Sequence, residues 1–334
     1  MQEPIMRITT IKKKKRVRRN KKKYRLQNWN DYNKGLKKRG DITLWINPDT
    51  LKQWQYKGKR GHGGHYIYSD HAILTCRTIG MVFHQPLRQQ QGFVDSLLTL
   101  FKVNLTAPNY SVVSRRSSGL RTQLNTLKSD LEKARQSKSG KIVMIVDSTG
   151  IKIYGEGEWM SKKHRTKVRK SWRKLHISCD TDSWISGSTV TDHRTSDTSQ
   201  VGALRDQLDS DIDRFIGDGA YDSKGVFNHL IDKNDHQPEL IVPPMDVAVI
   251  SSDPEFKQRN NHISFINDYS RDIWEMTSGY TMQSKAENNF FRFKTIIGRK
   301  LASRHPKNQD IEANLGCLIL NKMALCGMPE YKKR

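Results

Sequence analysis

The spacing of hydrophobic and polar residues divides the chain into a helical part and a part rich in strands. Within residues 28–127, apolar residues recur every three or four positions, most clearly over residues 69–83 and 86–103, and this is the period of amphipathic helices. We therefore predict a mainly helical domain over residues 24–127. Residues 1–23 are dominated by lysine and arginine, and a run of like charges favours a disordered basic tail.

The end of the helical part has the pattern of a helix-turn-helix. A Pro-Asn break at 108–109 precedes a short predicted helix over residues 111–120, with Arg115 and Arg116 near its middle. A short basic helix after a turn is typical of DNA-recognition helices. Ordinary helical bundles show the same pattern, so both interpretations stay open, with the two arginines as candidate DNA contacts.

After residue 140 the pattern changes to short apolar runs separated by turns. Residues 128–140 are polar and end in Ser-Lys-Ser-Gly, which indicates a linker. The later runs predict strands over residues 141–147, 172–180, 184–192, 213–218 and 240–244, and helices over residues 199–208 and 223–231. Three antiparallel strands followed by alternating helices and strands predict an α/β domain with a mixed sheet over residues 141–328, before a basic end at 329–334.

A last helix is predicted from Ile311 onward. Further apolar residues follow it at spacings of three and four, namely Leu315, Leu318, Ile319 and Met323. A single apolar stripe packs on one surface. We expect that surface to be the sheet, behind the helix that carries Glu287.

The chain carries a large positive charge. Its 334 residues include 59 Lys and Arg against 34 Asp and Glu, a net charge of +25, and +15 remains without the 11 basic residues and one acidic residue of the segment 1–23. Such a field attracts polyanions, so nucleic acid is the first expected partner and an anionic membrane surface the second.

Apolar runs and cysteines exclude other classes of protein. No apolar run approaches the roughly 18 residues of a membrane-spanning helix. The four cysteines are scattered, without the spacing of a disulfide framework or a zinc site. We expect a soluble cytoplasmic protein with no structural metal.

Two acidic residues stand at the ends of predicted buried strands. Asp147 ends the run KIVMIVD and Asp218 ends the run DRFIGD. Ligands of α/β sheets bind at the carboxyl ends of strands, which makes both residues candidates for a site. Taken alone, either residue fits equally the commoner role of an aspartate that caps a turn.

A third acidic residue, Glu287, falls on a helix predicted over residues 280–300. At about 100° per residue, Tyr280, Gln283, Glu287 and Lys294 lie within an arc of about 60° on one helix face. The plain alternative is a solvated polar face.

Three carboxylates in one place repel one another unless cations neutralise them. Hard oxygen ligands suit Mg²⁺ or Mn²⁺. Two such ions support in-line phosphoryl displacement, and the positive charge of the chain indicates a nucleic-acid backbone as the substrate.

These segments resemble the DDE transposases of bacterial insertion sequences, and most of all insertion-sequence family five. The third segment is similar to the signature Y-x2-R-x3-E-x6-K, matched by Tyr280, Glu287 and Lys294, with Gln283 in place of the arginine. The strings IVDSTGIKIYGEGEW, WRKLHIS, TDHRTSDTSQV and NWNDYNKGLKKRGDITLWI carry the rest of the similarity, which covers roughly residues 24–328.

The resemblance implies a ribonuclease-H-like catalytic domain in which Asp147, Asp218 and Glu287 are the catalytic residues and hold two Mg²⁺ or Mn²⁺ ions. It implies hydrolysis at the inverted repeats that end the element, followed by attack of the freed 3′-hydroxyl on target DNA. It further implies a homodimer on DNA.

Gln283 departs from the signature of the family. An arginine binds phosphate through two hydrogen bonds, whereas glutamine offers one uncharged amide. We therefore expect weaker DNA positioning and an attenuated enzyme.

A basic run at residues 161–174 follows the first strand and holds eight lysines and arginines in 14 residues. A solvated face is the plain explanation, but phosphate binding next to the acidic site is favoured. The candidate phosphate contacts are Lys162, Lys163, Arg165, Lys167, Arg169 and Lys170.

Three functions fit these observations. The first is a DNA transposase. The second is a decayed copy that acts only as a sequence-specific DNA-binding protein. The third is a nuclease that cleaves without joining.

Overall fold

The computed structural model describes residues 24–59, 65–135, 141–153 and 172–333. The predicted basic tail at 1–23 lies outside them. The first part of the chain is helical, as predicted, with α-helices at Trp29–Arg39 (α1), Pro48–Lys52 (α2), Asp70–Val82 (α3), Leu87–Leu100 (α4), Tyr110–Arg116 (α5) and Arg121–Ala134 (α6).

Local side chains define the starts of these helices. The Ser69 hydroxyl accepts a hydrogen bond from the Ala72 amide at 3.0 Å and caps α3. Pro86 precedes α4, at a helix start where its missing N–H is tolerated. The helix predicted over residues 111–120 is the short α5 followed by a 3₁₀ turn at Ser117–Gly119.

The second part of the chain forms a mixed sheet, which confirms the predicted pairing. Its strands are Val143–Ile153 (β2), Trp172–Cys179 (β3), Ile185–Asp192 (β4), Arg214–Ile216 (β5), Glu239–Ile241 (β6) and Lys300–Leu301 (β7). The order is β4-β3-β2-β5-β6, with β2, β3 and β4 antiparallel and with β5 and β6 parallel to β2. The strand predicted over residues 141–147 continues to Ile153 because its second half pairs with β3, so Asp147 lies within the strand and not at its end. β7 pairs with the far end of β2. A two-residue strand has no sequence period, so no pattern predicted β7.

Helices cover both faces of the sheet. On one face, Val201–Arg205 (α7) and Lys224–Asp232 (α8) pack on Met144 and Val146 of β2. The other face, which carries Ile145, is covered by the later helices. These are Lys257–Asp268 (α9), Arg271–Thr277 (α10), Ser284–Arg292 (α11) and Pro306–Leu325 (α12). Side chains alternate along a strand, so neighbouring β2 residues enter different cores.

The packing of α12 corrects the expectation for its apolar stripe. Leu315 and Ile319 of that stripe pack with the helices of the first part, not with the sheet. The opposite side of α12, through Ala313, Cys317 and Leu320, contacts the sheet core. The helix is apolar on two sides, so one stripe in the sequence did not decide which surface it meets.

The helical part and the sheet share a core through α12. Leu124 and Leu131 of α6 belong to the same apolar cluster as Leu315. α6 also runs across the predicted boundary at residues 127–128. The division of the chain into two domains stays a prediction, and the shared core argues that the two parts unfold together.

The first and last described segments pair with each other. Tyr24–Leu26 (β1) and Tyr331–Lys333 (β8) form an antiparallel ribbon. The Asn28 side-chain amide donates to the Met328 carbonyl at 2.9 Å and holds the ribbon beside α1. The segment predicted as a basic end thus contributes a strand.

Within the described ranges, no helix is long and apolar enough to cross a membrane. All four cysteines fall in these ranges and are free. Burial raises the pKa of the Cys179 and Cys317 thiols to about 12. Both are therefore protonated packing residues at neutral pH.

Replacing Leu315 tests the shared core. Leu315→Ala leaves a cavity where the two parts meet and should lower the free energy of unfolding by about 2–5 kcal/mol, within a single cooperative transition in urea. Leu100→Ala is the matched control, because Leu100 is 74% exposed and its loss should cost less than about 0.5 kcal/mol. Two separate transitions, only one of them shifted by Leu315→Ala, would contradict a shared core.

Candidate active site

Asp147 lies on an interrupted edge of β2. On that side, β2 pairs with β5 over Val143–Ile145 and then with β7 only at Lys152–Ile153. Between these segments, none of the described strands pairs with β2 on that side, and this stretch is called the open edge of β2. Asp147 is half-buried there, and its Oδ1 accepts a hydrogen bond from the Ser148 amide at 2.7 Å.

Asp218 lies where β5 turns away from β2. β5 ends at Ile216, and Asp218 caps a 3₁₀ turn at Gly219–Tyr221, with the Ala220 amide donating to its Oδ1 at 3.0 Å. This is the turn-capping geometry considered from the sequence. Each aspartate uses Oδ1 in these bonds, which leaves Oδ2 for a ligand.

The segment that carries Glu287 is not one regular helix, and this corrects the predicted helix face. It consists of a 3₁₀ turn at Tyr280–Gln283, the α-helix α11, and a π turn at Phe293–Ile297. These turns have fewer and more residues per turn than an α-helix. Gln283 is therefore buried while Glu287 is exposed, and the four side chains do not share one solvent face.

Gln283 supports the backbone of β2. Its Nε2 donates to the Val146 carbonyl at 2.9 Å, and the side chain is 7% exposed. Val146 is the first β2 residue beyond the pairing with β5, so the amide takes the place of a missing strand neighbour. This geometry favours a positioning role over the DNA contact expected from the sequence.

Lys294 and Tyr280 lie on either side of this support. The Lys294 ammonium donates to the Thr149 hydroxyl at 2.6 Å, so the π turn is also attached to the open stretch of β2. The Tyr280 ring packs on Trp274, with ring centroids 5.6 Å apart. Burial, followed by the charges of Asp218, Glu275, Glu287 and Asp147, raises the pKa of the Tyr280 phenol to about 12.

The three carboxylates act on one another electrostatically. Burial raises the pKa of Asp147 to about 6 against its Ser148 hydrogen bond, and the charges of Asp218 and Glu287 add to the rise. Burial also raises the pKa of Asp218. The site therefore disfavours ionised carboxylates, mainly because it is buried, and a bound cation would offset that cost.

Asp197 is a fourth acidic residue of this region that the sequence did not single out. Its Oδ1 lies 3.0 Å from the Lys174 ammonium and 3.5 Å from Nδ1 of buried His176. Its charge raises the pKa of both Asp147 and Asp218. Asp197 directly precedes a 3₁₀ turn at Thr198–Gln200, a position where aspartate is common for local reasons, so the local sequence does not indicate its place beside the carboxylates.

The donor chemistry fits a hard divalent cation, although the geometry is not that of a closed site. Aspartate and glutamate oxygens are the ligands that Mg²⁺ and Mn²⁺ prefer, and the uncompensated charge at Asp147 favours a cation. Across the described part of the chain, no three His, Cys, Asp or Glu side chains converge closely enough to hold one ion. Asp147, Asp218 and Glu287 would have to approach one another when a cation binds.

The structure separates the two arginines of α5. Arg116 donates to Asp70 Oδ1 and to the Tyr68 carbonyl, both at 2.6 Å, and only 12% of its side chain is exposed. The Arg116 guanidinium is therefore paired within the protein, which corrects the expectation that Arg116 contacts DNA. Arg115 is exposed. The candidate contacts Lys162, Lys163, Arg165, Lys167, Arg169 and Lys170 lie outside the described residues.

Comparison with known families decides what this arrangement belongs to. Two protein-family models, each described as a transposase DDE domain, match residues 37–156 and 138–261. Together they extend from α1 across the strand that carries Asp147 and the turn that carries Asp218. The chain belongs to the DDE transposases.

As a DDE transposase, the protein is a divalent-metal-dependent enzyme that cleaves DNA and transfers strands, and DNA is its partner. Its mixed sheet flanked by helices is compatible with a ribonuclease-H-like fold. Both matches stop before Glu287, so its assignment as the third acidic residue of the site stays a prediction.

The raised pKa of Asp147 predicts a pH-dependent stability of the metal-free transposase. The folded protein keeps this proton up to about pH 6, whereas an unfolded aspartate loses it near pH 4. The fold therefore loses stability as the pH rises from about 4 to about 6, and the full cost of the ionised carboxylate is present above that. In EDTA, Asp147→Asn should raise the melting temperature at pH 8 and about half as much at pH 5.

The matched control for this titration is Asp232→Asn, at an exposed position in α8. It should leave the melting temperature nearly unchanged at both pH values. An equal effect of Asp147→Asn at pH 5 and pH 8 would contradict the raised pKa.

Replacing Gln283 tests its support of β2. Gln283→Leu leaves the buried Val146 carbonyl without its donor and should cost about 1–3 kcal/mol of unfolding free energy, measured by urea denaturation. Asn288→Leu makes a similar change at an exposed position of α11 and should cost little. Equal stabilities of the two variants would show that the Gln283 bond contributes nothing.

Proposed function

We propose that Asp147, Asp218 and Glu287 form the catalytic site and hold two divalent cations, Mg²⁺ or Mn²⁺. The observation that carries this proposal is the placement of Asp147 on the open edge of β2, where its pKa is raised to about 6 by burial and by the other two carboxylates. When bound, the cations supply Lewis-acid stabilisation of the attacking and leaving oxygens in an in-line displacement.

The side chains around the carboxylates position the DNA. Lys294 has three N–H donors and uses one of them on Thr149, so the others are available to a phosphate oxygen. The Tyr280 phenol remains protonated at neutral pH and can donate to a phosphate. Gln283 holds β2 in place from behind.

The reaction proceeds in two displacements at phosphorus. Water attacks the phosphodiester at the end of the element, breaks the bond to the 3′-oxygen and leaves a 3′-hydroxyl. That hydroxyl then attacks a phosphodiester of target DNA, forms the new bond and displaces a 3′-oxygen of the target. The carboxylates would hold the cations at one place through both displacements, and the cations would attract the reacting phosphates.

The remaining parts of the protein bind DNA outside the site. The helical part over residues 24–127 recognises the terminal inverted repeats, with Arg115 as one contact, and the run at 161–174 contributes phosphate contacts. Two copies of the chain act on one element as a homodimer. The element is of insertion-sequence family five, and the protein works in the cytoplasm, where free cysteines such as Cys76 and Cys317 stay reduced.

The test uses duplexes made from the DNA that flanks the reading frame and contains its inverted repeats. With Mg²⁺ or Mn²⁺, the wild type should cleave these duplexes and join them to a plasmid. Asp147→Asn, Asp218→Asn and Glu287→Gln should abolish both products and leave DNA binding intact. Mn²⁺ should raise the melting temperature of the wild type by binding the folded state, and should not raise that of the variants.

Asp232→Asn is again the control, and it should retain cleavage, joining and stabilisation by Mn²⁺. Cleaved products that are never joined would indicate a nuclease. Sequence-specific binding without cleavage by the wild type would indicate a DNA-binding protein that has lost its chemistry. Full activity in any of the three carboxylate variants would remove that residue from the site.

A further inference from the structure

A groove of about 570 Å³ lies on the protein surface between the helical part and the turn before α12. It is lined by Pro86, Leu87, Arg88, Tyr110, Ser111, Ser114, Arg115 and Arg304. Three arginines from three separate elements meet there, and the lining contains no acidic residue. The groove therefore presents concentrated positive charge.

The three arginines are available to a ligand. Arg88, Arg115 and Arg304 are all exposed, and in the ranges that the structure describes none of them forms an ion pair. The Arg88 guanidinium lies over the Tyr110 ring, 4.9 Å from its centroid. Stacking of this kind orients the planar guanidinium while its N–H groups stay free to donate.

The turn that carries Arg304 is held rigidly. The Glu312 carboxylate is 5% exposed, accepts from the Ala302 amide at 2.7 Å and the Ser303 amide at 2.9 Å, and pairs with Arg77 of α3 at 3.3 Å. A buried ion pair contributes little net stability. Its effect here is to fix the backbone of an exposed basic turn.

Two further side chains tie the same turn to its surroundings. Gln309 donates to the Ser303 and Arg304 carbonyls at 3.1 Å and accepts from Arg173 of β3 at 2.9 Å. Asn308 donates to the Ser114 carbonyl of α5 at 3.0 Å. The turn, α5 and the sheet therefore form one preorganised frame, which reduces the ordering cost of binding.

From this frame we infer that the groove binds the phosphate backbone of duplex DNA, through Arg88, Arg115 and Arg304. The guanidinium fork matches two phosphate oxygens, and the groove adds Arg88 and Arg304 to the DNA contacts considered above. The inference rests on the proposed function only in taking DNA as the polyanion.

The path of the chain limits the distance between the groove and Asp147. β7 pairs with the end of β2, six residues beyond Asp147, or about 20 Å along a strand. Arg304 follows β7 by three residues, or at most about 10 Å more. Arg304 therefore lies at most about 30 Å from Asp147, which is about 9 base pairs along a duplex, so one DNA molecule is long enough to contact both.

The test measures binding of a fluorescent 30-base-pair duplex of arbitrary sequence to the full-length protein, by anisotropy over a range of NaCl concentrations. Each of Arg88→Gln, Arg115→Gln and Arg304→Gln should reduce the slope of log affinity against log salt by about 1, and the triple variant by about 3. All three residues are exposed, so each variant should keep the circular dichroism spectrum of the wild type.

Lys133→Gln is the matched control, because it also removes one exposed positive charge. Lys133 lies roughly 18 Å along α6 from the helix start and does not line the groove. This variant should keep the wild-type slope. The inference that the groove binds DNA would be overturned by a triple variant with the wild-type slope and affinity. It would also be overturned if the wild type did not bind the duplex. If the slopes change as expected but the wild type never cleaves with Mg²⁺ or Mn²⁺, the groove stands and the proposed function fails.

Discussion

The interrupted edge of β2 is the constraint on which the rest of the site depends. β5 leaves this edge after Ile145, and β7 reaches it only at Lys152. Backbone groups on an unpaired buried edge need other partners, and the Val146 carbonyl finds one in Gln283. The gap beside Asp147 thus requires the segment before α11 to lie against the strand. Glu287 is placed as a consequence, between the two attachments of that segment to β2.

The irregular shape of the 280–297 segment follows from the same requirement. In a regular α-helix, adjacent residues point about 100° apart, and the π turn changes these directions locally. It allows Phe293 to be buried against α12 while Lys294 reaches Thr149. A side chain at Gly316 would come within 2.6 Å of the Phe293 ring, so this packing requires glycine there. π turns of this kind are frequent at functional sites.

Local sequence patterns predicted most of the helices and strands. They did not predict features that depend on tertiary packing. The ends of α3 and α4 follow from the cap at Ser69 and the proline at 86, which act within one helical turn. The place of Asp218 just after a strand follows from an apolar run that stops at an acidic residue. The place of Asp147 does not, because β2 continues through it to Ile153. The role of Gln283 does not follow, because a missing strand neighbour on β2 leaves no trace in the sequence around residue 283. The prediction that the apolar stripe of α12 packs on the sheet was wrong for a related reason, because a helix buried on two sides has no single apolar stripe.

The net charge of the chain does not show which charged residues are available to a ligand. Arg115 and Arg116 are neighbours in the chain, yet Arg116 forms an ion pair with Asp70 whereas Arg115 is exposed to solvent. Arg77 likewise forms an ion pair with Glu312, and this pair fixes the turn on which Arg304 is exposed. Lys174 pairs with Asp197 beside the carboxylates, where an unpaired lysine would compete with a cation. Burial therefore divides these basic residues into those that build the frame and those exposed to solvent. It also raises the pKa of Asp147 and Asp218, and a bound cation would favour their ionised forms.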